Sequence, residues 1–296
     1  MTAIGDEFKR TPVSEPSLAL VVRHFVTSHV LFVVGAVVFT VIVICALFAP
    51  WVATHDPIAI VFADKLEPPS LDHLMGTDSL GRDIFSRVMF GARTSLMVGV
   101  VVTGLAILIG LPIGLLSGYF GGRVDTVLMR FSDVFLAFPP LLLPIAITAA
   151  LGSGLINAMF ALAVSWFPWY ARIMRGSVIR VKNELYISAA RAMGVSHTRT
   201  MIRHVVPNAL TPVVVQGSMD FGYTILAAAS LSFIGIGAQP PRMEWGLMAA
   251  LSRSKFLDFW WTVTFPGLAI FVTVLAVNLL GDGIRDMLDP KHKEFR

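Results

Sequence analysis

Six long apolar stretches set the fold of this chain, because each is near the length of a helix that crosses a lipid bilayer. Such a helix needs about 20 mostly apolar residues to cover a hydrocarbon core of about 30 Å. The stretches occupy residues 30–49, 96–117, 134–151, 156–170, 213–237 and 261–280. Four prolines interrupt the third and fourth stretches, namely Pro139, Pro140, Pro144 and Pro168. Bundled helices tolerate such breaks when neighbours satisfy the freed carbonyls, so the pattern predicts an all-α membrane protein with six transmembrane helices.

The composition supports a membrane protein and gives no sign of a second, soluble domain. Of the 296 residues, 55% are hydrophobic and 14% are charged, which is too apolar for an ordinary soluble domain. We predict an N-terminal tail at residues 1–29, a membrane domain at 30–284 and a C-terminal tail at 285–296. The single cysteine, Cys45, lies in the first stretch and is interpreted as an apolar packing residue.

The placement of lysine and arginine predicts the orientation in the membrane. If the N-terminus is cytoplasmic, sixteen of the 23 basic residues fall in inner segments and seven in outer segments. Basic residues are enriched on the cytoplasmic side, so we expect both termini inside, residues 51–94 outside and residues 183–207 inside. The net charge of +4 then reflects membrane topology and gives no indication of nucleic acid as a partner.

A polar, basic segment at residues 183–207 is predicted to form a helix-turn-helix. Asn183 is the expected N-cap of a helix over residues 184–193, and Gly194 is the expected stop, in a left-handed conformation. Ser196 is expected to cap a second helix, which Pro207 would end or kink.

One face of the first of these helices has the composition of a docking surface. Tyr186, Ala189, Ala190 and Met193 share a face at helical spacing. Small alanine side chains let a helix enter a groove closely, and tyrosine is enriched at interface hot spots. Arg191 is expected to point away from this face, towards acidic groups of a partner or lipid phosphates. The alternative is an ordinary basic cytoplasmic loop.

Two polar side chains in the fifth stretch are candidates for the transport pathway. Ionisable residues inside membrane spans are functional candidates by default, and Asp220 is the clearest one, with Gln216 one helical turn before it. Asp220 would meet a positively charged group of a substrate. The alternative, which we favour, is that Asp220 pairs with a neighbouring helix.

Motifs for catalysis and for metal binding are absent from the sequence. No Gly-x-x-x-x-Gly-Lys-Ser/Thr loop is present to hold ATP phosphates, and no His-Glu-x-x-His motif is present to hold zinc. We therefore expect no catalytic, cofactor or metal site in this chain, and we expect that the chain is not an enzyme by itself.

The 183–207 segment resembles the cytoplasmic signature of permease subunits of ABC importers. That signature is Glu-Ala-Ala, then glycine four residues after the last alanine, then proline thirteen residues further on. Ser188, Ala189, Ala190, Gly194 and Pro207 fit the spacing, with Ser188 in the place of the glutamate. The resemblance implies that this element docks into a separate ATPase.

Other stretches resemble one branch of these proteins, the dipeptide/oligopeptide/nickel permeases, and within it the second ("C") permease. These stretches are HLMGTDSLGRD at 73–83, GARTSL at 91–96, LSFIG at 231–235, EWG at 244–246, FPG at 265–267, NLLGDG at 278–283 and LDP at 288–290. The resemblance extends from residue 27 to the C-terminus. Ala228 is a departure, because many relatives have glutamate there.

The resemblance implies a type I ABC importer permease fold in a bacterial inner membrane. The implied partners are a second homologous permease, two ATPase subunits or domains that bind ATP and magnesium, and an extracytoplasmic binding protein. Peptides are the implied cargo, with nickel, haem or opines as alternatives in the same family. An ATP-independent secondary transporter is the alternative from another class.

Residues 82–92 have an apolar helical face and are predicted to form an amphipathic helix on the outer side. The apolar face holds Ile84, Phe85, Val88, Met89 and Ala92, whereas Ser86 and Arg87 lie elsewhere. The helix would lie along the membrane surface or against the bundle. A lead-in to the second span and a contact with the binding protein are both open interpretations.

Overall fold

A computed structural model describes residues 29–288, so the predicted tails lie largely outside the described residues. The α-helices of the described part are α1 (Val30–Leu47), α2 (Ala49–Val52), α3 (Ile84–Phe120), α4 (Gly122–Leu136), α5 (Leu142–Leu151), α6 (Leu155–Lys182), α7 (Leu185–Ala192), α8 (His197–Thr200), α9 (Val206–Ala209), α10 (Thr211–Ile234), α11 (Trp245–Ser252) and α12 (Trp261–Leu288). A π-helical turn (Met201–Val205) and two 3-10 turns (Phe62–Asp64 and Arg253–Lys255) complete them. Residues 29–288 contain no β-strand, and the all-α prediction is confirmed for them.

The long helices α3 and α6 pack closely along a row of glycines. Gly110, Gly114 and Gly118 recur every four residues on α3 and face the backbone of α6. A Cβ atom on Gly114 would lie only 2.3 Å from the carbonyl oxygen of Ala171. Small residues at this spacing let two helices approach closely in a membrane, where no hydrophobic effect drives them together.

The remaining long helices surround this pair. Helix α12 packs against α1, α10 and α11, and α10 packs against α3. A cluster of buried residues closes one end of the bundle, where Ile84 and Val88 of α3 meet Trp245 and Trp261. The indole Nε1 of Trp245 donates a 2.9 Å hydrogen bond to the carbonyl of Val88, which fixes α11 to the first turns of α3.

All six apolar stretches of the sequence form helices, but their lengths differ from the prediction. Helices α1, α3 and α12 are long and apolar enough to cross a membrane by length and composition. The prediction of one continuous third span at residues 134–151 is wrong, because α4 ends at Leu136 and α5 begins at Leu142. Pro139 and Pro140 lie in the gap, where each lacks an N–H group and restricts the residue before it.

The helix that contains the fourth apolar stretch extends well beyond it. Helix α6 begins at Leu155 and ends at Lys182, and Pro168 lies inside it without ending it. The predicted apolar stretch at residues 156–170 lies within this helix, and the polar last turns of α6 continue it towards the helix-turn-helix.

The amphipathic helix predicted at residues 82–92 is the beginning of α3, in agreement with its interpretation as a lead-in to the second span. Ile84, Val88 and Ala92 are buried as expected, but Ser86 and Arg87 are buried as well. The guanidinium of Arg87 donates a 2.9 Å hydrogen bond to the carbonyl of Pro57. The loop that follows α2 thus covers Arg87 on the polar side of this segment.

Candidate functional site

The helix-turn-helix at residues 183–207 begins one residue later than predicted. Asn183 is the C-cap of α6, and its N–H bonds to the carbonyl of Arg180 at 3.2 Å. Glu184, in an extended conformation, is the N-cap of α7. The prediction that Asn183 caps α7 is wrong, because α6 extends to Lys182 and Asn183 is taken up as the C-cap of that helix.

The helix-turn-helix has a first arm, α7, and a second arm at residues 196–207. The turn between the two arms is built as predicted around Gly194. The φ angle of Gly194 is +83°, so the predicted left-handed conformation is confirmed. The N–H of Gly194 bonds to the carbonyl of Arg191 at 2.9 Å, and the N–H of Val195 bonds to the carbonyl of Ala190 at 3.2 Å. This pair of bonds is a Schellman motif, which ends α7 and turns the chain sharply.

The second arm is irregular where Pro207 requires it. Ser196 is the N-cap of α8, as predicted, and α8 ends at Thr200. In the π-helical turn that follows, the N–H of Val206 bonds to the carbonyl of Met201, five residues earlier. Pro207 lies in the first turn of α9. Because proline has no N–H and clashes with a carbonyl of the preceding turn, the wider π turn accommodates it.

Helix α7 presents one face to the bundle and the opposite face to solvent. Ile187 is buried within the main apolar core of the bundle, and Ala190 is also buried, with 6% of its surface exposed. The predicted docking face is therefore wrong in one member, Ala190, because α7 needs a small side chain at that position to lie close to the bundle. The exposed face has two large apolar side chains, Leu185 and Met193, with exposed fractions of 86% and 78%. It also includes Tyr186, Ser188, Ala189 and Ala192.

Arg191 points towards the bundle, and the prediction that it points away is wrong. Its guanidinium carbon lies 5.1 Å from the ring centroid of Tyr119, at the end of α3. The phenol oxygen of Tyr119 also lies 3.0 Å from Nδ1 of His197 on the second arm. Lys182 donates a hydrogen bond to the carbonyl of Tyr119. The cation–π contact and the hydrogen bonds tie both arms to one buried ring.

Sequence reasoning missed Tyr119, because an aromatic residue at the end of an apolar span usually indicates an interfacial anchor. The signal that it has another role is its position just before the break at Gly121 and Gly122, both of which have positive φ. The glycine pair two residues after Tyr119 marks the end of α3.

Asp220 lies between α10 and α6 and has hydrogen-bond partners on both carboxylate oxygens. The phenol of Tyr170 on α6 donates to one oxygen at 2.8 Å, and the amide of Gln216 donates to the other at 2.9 Å. The sequence placed Gln216 and Asp220 together but did not indicate Tyr170. Asp220 therefore joins α6 to α10.

A bidentate ion pair connects α4 to α6 near the polar end of α6. Nε and Nη2 of Arg175 each lie 2.6 Å from a carboxylate oxygen of Asp125. Ser117 of α3 also donates a hydrogen bond to this carboxylate. The hydrogen bonds from Arg175 lower the pKa of Asp125 below its ordinary value, since they stabilise the charged form.

Comparison with protein families identifies the chain. The family described as the binding-protein-dependent transport system inner membrane component matches residues 110–294. The chain belongs to this family. Residues 18–69 match a second family, the N-terminal transmembrane domain of oligopeptide transport permease C.

Similar proteins are permeases of peptide transport systems. The chain is 47% identical over 261 residues to the probable D,D-dipeptide transport system permease protein of Escherichia coli K12, covering 88% of each chain. It is 43% identical over 293 residues to the di/tripeptide transport system permease protein of Pseudomonas aeruginosa UCBPP-PA14, covering 95% of this chain and 97% of the other. It is 44% identical over 294 residues to a glutathione transport system permease protein of Pectobacterium atrosepticum, covering 99% of this chain and 96% of the other.

Solved structures share the fold at low sequence identity. An inward-facing structure of the MetNI methionine ABC transporter has a TM-score of 0.56 and 19% identity, and covers 69% of this permease and 97% of the matched chain. A structure of an amino acid ABC transporter has a TM-score of 0.54 and 18% identity, and covers 69% and 95% of the two chains. The type I ABC importer permease fold expected from the sequence is confirmed.

These findings make the chain a membrane permease subunit of an ATP-driven importer. The family works with a partner permease, ATPases and a binding protein. The alternative of an ATP-independent secondary transporter is therefore set aside.

Proposed function

We propose that this permease forms half of a translocation pathway for short peptides in a bacterial inner membrane, with both termini in the cytoplasm. A second homologous permease would form the other half, and an extracytoplasmic binding protein would deliver the cargo. Two ATPase subunits or domains would bind ATP and magnesium, and this chain would bind no cofactor of its own. Residues 183–207 would receive the motion of an ATPase.

The two-sided environment of α7 carries this proposal. Leu185 and Met193 leave large apolar surfaces in solvent beside the small side chains of Ser188 and Ala189, and such exposed patches mark interaction sites. The opposite face, with Ile187 and Arg191, is fixed to the bundle. A helix held in this way transmits a displacement imposed on its outer face to the part of the bundle that its inner face contacts.

The path of the motion follows from the contacts of Tyr119. A displacement of α7 moves Arg191, and a displacement of the second arm moves His197. Both side chains contact the ring of Tyr119 at the end of α3. Because α3 packs along α6 through the glycine row, the two helices move together and change the shape of the pathway.

The choice of peptides as cargo rests on the relatives. The three relatives described above are named for D,D-dipeptides, for di- and tripeptides and for glutathione, all of which are short peptides. For Asp220 and Gln216, the hydrogen bonds on both carboxylate oxygens support a role in joining α6 to α10 over direct binding of cargo.

Docking is tested by placing a charge on the exposed face of α7. Burying an unpaired carboxylate in an interface is costly, so Ala189→Glu should reduce co-purification of the ATPase subunits at least tenfold and abolish ATP-dependent uptake. The matched control is Leu71→Glu, a charge at a residue that is 96% exposed on the predicted outer side. This control should co-purify like wild type. Normal assembly and uptake by Ala189→Glu would contradict the docking role.

Cargo is tested separately, with proteoliposomes that contain the complete importer and its binding protein. Labelled D-Ala-D-Ala, a tripeptide and glutathione are compared with nickel and haem. Uptake of at least one peptide should depend on ATP and on this chain. Uptake of nickel or haem alone would disprove the peptide assignment and would leave the docking role untouched.

A further inference from the structure

Two imidazoles and one carboxylate converge where the loop after α2 meets the N-terminus of α3. Nδ1 of His73 lies 2.9 Å from Oδ1 of Asp83, and Nδ1 of His55 lies 3.8 Å from the same oxygen. The two imidazole rings have centroids 4.6 Å apart. One ligand atom from each of the three residues lies within 4.8 Å of the others. None of these residues takes part in the docking element or in the Asp220 cluster.

The local structure leaves one oxygen of Asp83 available. Its other oxygen, Oδ2, accepts a 2.7 Å hydrogen bond from the N–H of Ser86 and thereby caps α3. The hydroxyl of Ser86 in turn accepts a 3.0 Å hydrogen bond from the N–H of His55. The carboxylate and the backbone of His55 are thus fixed to the same turn of α3, and Oδ1 faces the two imidazoles.

The distances among these atoms suit a tetrahedral metal ion. Zinc binds histidine nitrogen and carboxylate oxygen at about 2.0–2.1 Å, so two ligand atoms in a tetrahedral site lie roughly 3.3–3.4 Å apart. The two separations from Oδ1 of Asp83, 2.9 Å and 3.8 Å, lie on either side of that value. The ligand nitrogens of the two imidazoles lie at most 4.8 Å apart, so the side chains must close that separation by up to roughly 1.4 Å when the metal binds.

The surroundings of His73 also fit a ligand. If Nδ1 of His73 binds the metal, Nε2 carries the proton, and this nitrogen lies 3.9 Å from Oδ2 of Asp64. Metal-binding histidines almost always present their other N–H to a carboxylate, a carbonyl or water, which fixes the ring. At 3.9 Å the Asp64 carboxylate is beyond hydrogen-bond distance, so it would have to move closer to Nε2 to orient the ring.

We propose that His55, His73 and Asp83 bind one divalent transition-metal cation of the Zn²⁺ class. His55 is exposed, with a side-chain exposed fraction of 42%, and provides the entry from solvent. Water occupies the fourth position. The bound ion fastens the chain that leaves the first span to the N-terminus of α3.

The test uses the full-length chain, purified in detergent without a polyhistidine tag. Titration calorimetry with ZnCl₂ should show one ion per chain, and CoCl₂ should give the visible absorption of a tetrahedral Co²⁺ site. His55→Ala should weaken Zn²⁺ binding at least tenfold. Because His55 is exposed, this variant should fold like wild type. His204→Ala, which removes a histidine outside the cluster, should bind Zn²⁺ like wild type.

A second variant, Asp83→Asn, and a stability measurement complete the experiment. Saturating Zn²⁺ should raise the melting temperature of wild type and His204→Ala but not of His55→Ala or Asp83→Asn. The absence of stoichiometric Zn²⁺ binding by wild type would overturn the proposal and leave a plain His73–Asp83 hydrogen bond. Equal Zn²⁺ affinity of wild type and His55→Ala would overturn it as well.

Discussion

Tyr170 on α6 holds Asp220 on α10 by a hydrogen bond of 2.8 Å from the phenol to the carboxylate. Removal of this donor in Tyr170→Phe should destabilise the bundle by about 1 kcal/mol, the order found for hydrogen bonds between membrane helices. Thermal unfolding in detergent measures the loss. Asp220→Asn can still accept the bond from Tyr170, so we expect near-normal melting and peptide uptake. Loss of uptake by Asp220→Asn at an unchanged melting temperature would show that the charge serves the cargo.

The glycine row on α3 predicts a strongly position-dependent response to larger side chains. Gly114→Leu places its Cβ atom within 2.3 Å of the carbonyl oxygen of Ala171, so α3 and α6 must separate. Overpacking costs typically about 1–3 kcal/mol, and we expect a lower melting temperature and loss of the assembled importer. Gly104→Leu is the matched control on the same helix, because a Cβ atom added there meets no atom within 4 Å. Equal stability of the two variants would contradict the close packing of α3 on α6.

Gly194 and Gly176 should respond in opposite directions to the same substitution. Neither has an atom within 4 Å of an added Cβ, so steric clash plays no part at either site. Gly194 has a φ of +83°, where alanine costs about 1 kcal/mol. Gly176 is inside α6, where alanine stabilises a helix by up to about 1 kcal/mol.

Calorimetric melting of Gly194→Ala and Gly176→Ala tests this pair, and the bulkier Gly194→Val should additionally weaken ATPase co-purification. A Gly194→Ala variant as stable as wild type would show that the turn tolerates a right-handed conformation.

The predicted topology is tested with single cysteines in a Cys45→Ala background. Ala59→Cys lies in the segment predicted to be outside, and Ser188→Cys lies on the exposed face of α7. An impermeant thiol reagent added to intact cells should label position 59 and not position 188. Inside-out vesicles should give the opposite result. Labelling of position 188 from the outside of intact cells would reverse the orientation.

The Asp125–Arg175 pair predicts a pH dependence of stability. Hydrogen bonds from Arg175 lower the pKa of Asp125, so the pair contributes stability above the unfolded pKa, which is about 3.9. This contribution is lost as the pH falls through the lower pKa of the folded state. As the pH falls from about 5 to about 2, the melting temperature of wild type should decrease by more than that of Asp125→Asn. Parallel curves for the two proteins would show that the pair adds no stability.

Local sequence signals predict the helices and the sharp turn of the docking element. Apolar runs of span length indicate six helical regions, and a glycine after a helix indicates the left-handed turn at Gly194. Pro139 and Pro140 mark the break in the third stretch, but they do not show how far it separates the two halves. Hydropathy alone does not distinguish a kinked helix from two helices, because both have the same composition.

Contacts between distant parts of the chain are not predictable from these signals. The spacing of residues 186–193 gives the faces of α7 but does not say which face meets the bundle, so the predictions for Ala190 and Arg191 are wrong. His55, His73 and Asp83 lie in loops or at a helix end, where no periodicity relates one residue to another. Their meeting depends on how the loop after α2 folds over the start of α3.

The unbroken length of α3 has a consequence for communication across the membrane. Its 37 residues span roughly 55 Å, about twice the thickness of the hydrocarbon core. One end carries Asp83 and the contact with Trp245, and the other end carries Tyr119 under the two arms. A ligand that binds at one end and favours one position of α3 changes the affinity of a second ligand at the other end. The second ligand changes the affinity of the first by the same factor. Delivery of cargo outside and engagement of nucleotide-loaded ATPases inside would then both shift the same equilibrium between two positions of α3.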